Sequence, residues 1–177
     1  MCGDIDATDE EKKQSVQKLY KLGLENTQRI TDEIIMLLIK QIRSNENITS
    51  TQNCWALLGQ MLSVLEPSKP LAFPLMNWFL NVIDHHQNKA YQTWARYLLC
   101  RVYRLYKMLD KRVFSPIYLE SQYVKYMKKI RLNVFMMNGA FMTVWVESYT
   151  TFRELKVLVL AKLDVQTRHH WRYGFIE

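Results

Sequence analysis

The sequence predicts a mainly α-helical bundle followed by a partial α+β lobe of the ubiquitin-like, β-grasp type. Three observations carry this. Apolar residues recur at steps of 3 and 4 as far as residue 112, Pro116 breaks that pattern, and beyond Lys129 the period changes to 2 around an Asn-Gly turn. The expected organisation is a helical domain over 9–112, a connector over 113–129 and a half lobe over 130–177.

Each element follows from local chemistry. Asp9 to Gly23 reads as a helix with Val16, Leu19 and Tyr20 on one side and Gly23 as its stop. Thr31 is the expected cap of the next helix, with Asp32 and Glu33 in the first turn, where the helix dipole favours acids. Ile34, Ile35, Leu37, Leu38, Ile39 and Ile42 leave that helix little polar face, so it should be buried all round. Ser50 or Thr51 caps a third helix carrying Trp55, Leu58, Met61, Leu62 and Leu65, which Pro67 ends. Pro70 suits the first turn of a fourth, running from Leu71 to Ile83, and Asp84-His85-His86 is a turn.

The fifth helix, Asn88 to Arg112, is the clearest amphipathic element. Tyr91, Trp94, Ala95, Leu98, Val102, Leu105 and Leu109 form one stripe, with Arg96, Arg104, Lys107 and Lys111 opposite it. In the C-terminal part, Arg131 to Phe135 and Phe141 to Val146 are strands, and Asn138-Gly139 signals a type I′ hairpin. Thr151 and Glu154 form a capping box that opens a helix, and Trp171 to Ile176 reads as a third strand.

The longest apolar run, Ile34 to Ile39, has six residues, far short of the roughly 20 a membrane span needs. The polar, acidic start is not a secretory signal. Cys2, Cys54 and Cys100 are far apart and odd in number, so reduced thiols in a cytosolic compartment are expected. Net charge is +7 and uneven. Residues 1–95 carry 9 basic and 11 acidic side chains, 96–131 carry 10 and 2, and 132–177 carry 5 and 4. One short segment holds the excess, and such a field attracts acidic polymers or surfaces without saying which.

Several spaced residues carry a family signal. Asp32-Glu33-Ile34 with Lys40-Gln41, Trp55-x-Leu57-Leu58 with Pro67-Ser68, Phe79-Leu80, Leu99-x-Arg101, and then Arg112, Pro116 and Glu120 follow one another in fixed order. This order resembles the myosin tail homology 4 (MyTH4) domain. Residues 130–177 resemble the first, ubiquitin-like lobe of the FERM domain that follows it, stopped after its third strand. The resemblance covers about residues 20–177. It implies a non-enzymatic binding or scaffold module from the tails of unconventional myosins and some kinesins, without cofactors. The implied partners are microtubules or another acidic protein surface, in a cytoplasmic, cytoskeleton-associated setting such as a cilium or axoneme. Two departures stand out. The family has further helices before the Asp-Glu-Ile helix, and the second and third FERM lobes are absent. A half lobe would also leave a strand edge open at Trp171–Ile176, which a larger assembly could complete.

The candidate binding residues are Arg96, Arg104, Lys107, Lys111, Lys125, Lys128, Lys129 and Arg131. The competing reading is a solvated face that keeps the chain soluble. Arg101 flanks the apolar stripe and is expected to pair with Glu33 or Asp32, a structural ion pair costing about 3–5 kcal/mol to break from one side if buried. His85-His86 and His169-His170 lack the Cys or carboxylate that would complete a metal-ligand spacing. Cys54 and Cys100 sit beside apolar helix positions and read as inert. Trp55, Trp78, Phe79, Tyr91 and Trp94 read as core rather than as a base-stacking platform, which makes nucleic acid the weaker partner class. No phosphate loop, nucleophile elbow or paired-carboxylate pocket is present, so no catalytic residue is assigned.

Overall fold

Thr8 opens the first helix with a capping box. Its hydroxyl accepts from the Glu11 amide at 3.3 Å, and the Glu11 carboxylate accepts from the Thr8 amide at 2.7 Å. The computed structural model describes residues 8–107 and 115–165. The chain divides into two units, Met1–Met127 and Lys128–Glu177.

In the first unit, α1 (Asp9–Glu25) runs past Gly23, the expected stop. Gly23 is buried instead, and a Cβ there would lie 2.6 Å from Leu65 Cδ1, so glycine serves close packing. The next helix, α2 (Gln28–Ser44), starts after Thr27 rather than Thr31. Thr31 is buried inside it and donates to the Gly23 carbonyl at 3.0 Å, fastening the α1–α2 corner. Asp32 therefore lies outside the first turn. Its carboxylate accepts from the Ser68 amide at 2.9 Å. The apolar run of α2 is also not enclosed all round. Ile34, Ile35, Leu38, Ile39 and Ile42 are buried, while Met36 is 47% and Leu37 59% exposed, because only one side of α2 is covered.

Asn47 caps α3 (Ile48–Leu62), accepting from the Ser50 amide at 3.1 Å. Ser50 and Thr51, the expected caps, lie inside. The Thr51 hydroxyl donates back to the Asn45 and Asn47 carbonyls, a bond its position in the first turn makes available. The helix closes at Leu62 on a Ser63 C-cap, ahead of Pro67. Eleven of its fifteen residues are buried, which makes α3 the hub of the unit. Ser68 caps α4 (Lys69–His85), with Pro70 in the first turn and Pro74 on an exposed interior position. The expected Asp84-His85-His86 turn is thus helical until His86.

The amphipathic helix α5 (Lys89–Lys107) buries Trp94, Ala95, Leu98 and Val102 as its stripe predicts. Leu109, Lys111 and Arg112 lie outside the described residues. Gly59 of α3 lets Trp94 settle against it; a Cβ there would meet Trp94 Cζ3 at 2.9 Å. The stretch read as a connector contains another helix, α6 (Tyr118–Lys125). Its Ser121 is buried among Tyr20 and Gln60, and Val124 is buried with it. Met127 follows at φ 51°, a left-handed residue that turns the chain out of the unit. Packing radiates from α3, against α1, α2, α5 and α6, and α4 pairs with α5.

The second unit begins with β1 (Ile130–Phe135) and β2 (Phe141–Val146), antiparallel from Ile130↔Val146 to Phe135↔Phe141. The turn between them is not type I′. Met136 and Ala140 close a three-residue loop in which Gly139 alone has positive φ, at 82°. This is a type I turn with a glycine bulge, and the Asn138 side chain accepts from the Ala140 amide at 3.1 Å. Thr151 and Glu154 form the expected capping box of α7 (Phe152–Lys162). Val144, Val146 and Val159 form the small core, flanked by Ile130, Val134, Met142 and Leu155. The third strand expected at Trp171–Ile176 and the pair His169-His170 lie outside the described residues.

Candidate protein-binding surfaces

The solvent side of α5 carries a cationic line. Lys89, Arg96 and Lys107 are exposed, and spacings of 7 and 11 residues bring them back to within about 20° of one another around the helix. They lie about 10 and 16 Å apart along its axis. Cys100 and Tyr103 are exposed on the same line, and Lys107 Nζ rests 4.5 Å from the centroid of the Tyr103 ring. The opposite side of α5 is the buried stripe, so the line is held on a helix anchored by its own core.

The remaining candidates are placed differently. Arg104 is half-buried, turned about 80° from Arg96, and does not share the exposed line. Lys125 is half-buried at the end of α6, with its ammonium 5.6 Å from the Tyr126 ring centroid. In the second unit, Lys128 is exposed and Lys129 pairs with Glu147 at 3.9 Å. Arg131 lies on the outer face of the hairpin opposite the exposed Trp145.

Arg101 does tie helices together, through backbone carbonyls of α3 and its cap. It is buried, its Nε donates to the Leu62 carbonyl at 2.9 Å, and its Nη2 donates to the Ser63 carbonyl. No ion pair joins it to Asp32 or Glu33 among the described residues. Asp32 serves the Ser68 turn and Glu33 is exposed on α2. The guanidinium instead answers the free carbonyls and negative dipole end of α3.

One thiol also departs from expectation: Cys100 is exposed rather than apolar-packed, while Cys54 is buried. His85 and His86 are exposed; the ring nitrogen of His86 accepts from the Asn88 amide at 3.0 Å. Among the described residues no group of three or more His, Cys, Asp or Glu is arranged to hold a metal, and no helix is long and apolar enough to cross a membrane. Trp55 and Trp78 stack at 5.3 Å, and Trp55 is buried, as its core reading predicts.

Sequence reasoning missed a groove of about 330 Å³ between α1 and α6, floored by α3. Val16, Ala56 and Leu57 supply its apolar lining, Gln60 and Ser121 lie at its base, and among the described residues Lys12, Lys13 and Lys125 line it with a single acid, Asp9. It went unseen because α6 is a single eight-residue helix whose short apolar pattern, between Pro116 and the strand, reads as a connector.

Comparison with known proteins places this geometry. The profile of the MyTH4 domain matches residues 16–123. Among solved structures, the Dictyostelium discoideum myosin VII MyTH4-FERM MF1 domain (mutant 2) superposes with a TM-score of 0.78 at 19% identity, covering 89% of this chain and 33% of that one. The MF2 domain of the same myosin gives 0.63 at 17% identity, over 90% and 33%. The human myosin 7b C-terminal MyTH4-FERM domain, solved in complex with the harmonin-a PDZ3 domain, gives 0.60 at 18% identity, over 76% and 27%. The chain thus spans about a third of the length of the structures it matches.

Proposed function

This chain belongs to the MyTH4 domain family, and from that premise we propose that it is a protein-binding module of the cytoskeleton. Members of this family bind and do not catalyse. The reading is that the chain docks on an acidic protein surface, a microtubule foremost, in a cytoplasmic, cytoskeleton-associated setting such as a cilium. A protein partner is in keeping with the PDZ domain held by the myosin 7b structure.

The observation that carries this reading is the exposed line Lys89, Arg96 and Lys107 on α5. Lys111 continues the set from the sequence, and Lys125, Lys128, Lys129 and Arg131 are its secondary members. Arg104, half-buried, is left out of it. Cations on a solvated rim act chiefly on association rate and confer salt sensitivity. The test is cosedimentation with microtubules beside gel shift with duplex DNA and with RNA. The expected result is microtubule binding that Arg96→Glu with Lys107→Glu abolishes, with an unchanged helical circular dichroism spectrum. Shift of nucleic acid without cosedimentation would assign the line to a nucleic-acid partner instead.

A further inference from the structure

We infer that the groove between α1 and α6 is a second docking site, taking an extended acidic peptide segment of a partner protein. Apart from Lys125, a secondary member of the cationic set described above, it uses residues other than those of the α5 line. The chemistry is set by what lines it. Val16 and the α3 residues Ala56 and Leu57 offer an apolar floor to alternate side chains of an extended strand. Gln60 is 7% exposed at the base. Its amide nitrogen is committed to Ser121, at 2.8 Å from Oγ and 3.2 Å from the carbonyl. Its carbonyl oxygen has no donor among the described residues and is available to a peptide N–H.

Charge picks the class of peptide. Among the described residues, three lysines line the groove against one aspartate. Lys12 is 3.8 Å from Asp9 and Lys13 is 3.6 Å from Glu10, so both have carboxylates at hand. Lys125 has no carboxylate within ion-pair range among the described residues; its side chain is half-buried and its ammonium is 5.6 Å from the Tyr126 ring centroid. A cation without a carboxylate partner gains more from an incoming one than a cation already paired. The exposed Tyr118, under Lys13 at 4.9 Å, and the exposed Tyr126 frame the entrance with rigid amphipathic rings.

The experiment uses the whole chain and a fluorescein-labelled Glu-Leu-Glu-Leu-Glu-Leu-Glu peptide, read by anisotropy, with the lysine counterpart as control. The acidic peptide binds and the lysine peptide does not. Lys125→Glu weakens binding by about tenfold or more, as removing a close charge pair does. Arg96→Glu weakens it less than Lys125→Glu does. On peptide binding, amide hydrogen exchange slows in α1 and α6 and not in α5. Equal affinity in Lys125→Glu, or protection confined to α5, overturns the assignment. So does a second copy of the chain filling the groove, seen as self-association in sedimentation velocity without peptide binding. Loss of microtubule binding with peptide binding intact would remove the α5 proposal alone; the reverse outcome would remove this one alone.

Discussion

The Tyr20 hydroxyl lies 3.2 Å from the Ser121 hydroxyl across 101 positions of sequence, inside a buried site that Gln60 of α3 completes. Ser121→Ala removes the hydroxyl that both Tyr20 and Gln60 reach, leaving Gln60 the Ser121 carbonyl, whereas Tyr20→Phe leaves the Gln60–Ser121 bond in place. Ser121→Ala should therefore cost more, about 1–3 kcal/mol against about 1 kcal/mol. Urea unfolding of the two variants measures the order, and equal losses would show that Ser121 is not shared.

Arg101 holds the end of α3 through the Leu62 and Ser63 carbonyls. Arg101→Met should destabilise the helical unit by about 3 kcal/mol, since a charged donor to two buried acceptors is lost. Arg101→Lys should recover part of this at most, because an ammonium lacks the two-pronged geometry. Glu33→Gln should stay within about 0.5 kcal/mol of the parent, as surface changes do. A large loss in Glu33→Gln would restore the ion pair expected from the sequence.

Gly59 and Trp94 are matched in shape. Gly59→Ala should cost about 1–3 kcal/mol through overpacking, because the new methyl group would sit 2.9 Å from the indole. Combining it with Trp94→Phe, which removes the offending ring, should cost less than the two changes added together. Strict additivity in thermal melts would place the strain elsewhere.

Acid should fray the start of α1. The Thr8 amide, and then the Thr8 hydroxyl, hold the Glu11 carboxyl below its ordinary pKa. A depressed folded-state pKa means the contribution is complete above the ordinary carboxylate value and is lost as pH falls through the lowered one. The Thr8 amide resonance should follow that titration by NMR. In Glu11→Gln the acid limb should vanish, and its survival would assign it to another group.

Much of the fold could be read where one local signal stood alone. The α5 stripe, the β2 boundaries and the Thr151–Glu154 capping box each had no rival nearby. Helix starts misled where two capping residues lay within one turn: Thr27 and Thr31, or Asn47 and Ser50. Tertiary contacts decided those, since Thr31 finds a carbonyl on α1 that no local pattern reveals. Arg101 bonds the Leu62 and Ser63 carbonyls, backbone atoms that every sequence possesses and no side-chain pattern singles out. The sequence grouped Arg104 with Arg96 and Lys107 and passed over Lys89, a difference of helical phase and burial, and the α1–α6 groove depends on which helices meet over α3. The hairpin was placed correctly, and its turn type was missed because the loop takes three residues rather than two.

Synthesis order gives the hub at α3 a practical consequence. On the ribosome α3 is finished before either α5 or α6 exists, so a nascent chain leaves the α5 and α6 sides of α3 uncovered for some 40 to 60 further codons, several seconds at roughly 5–20 residues per second. Translation truncated before residue 118 would leave that greasy surface without its last cover, a form that chaperones should retain and the finished protein should shed.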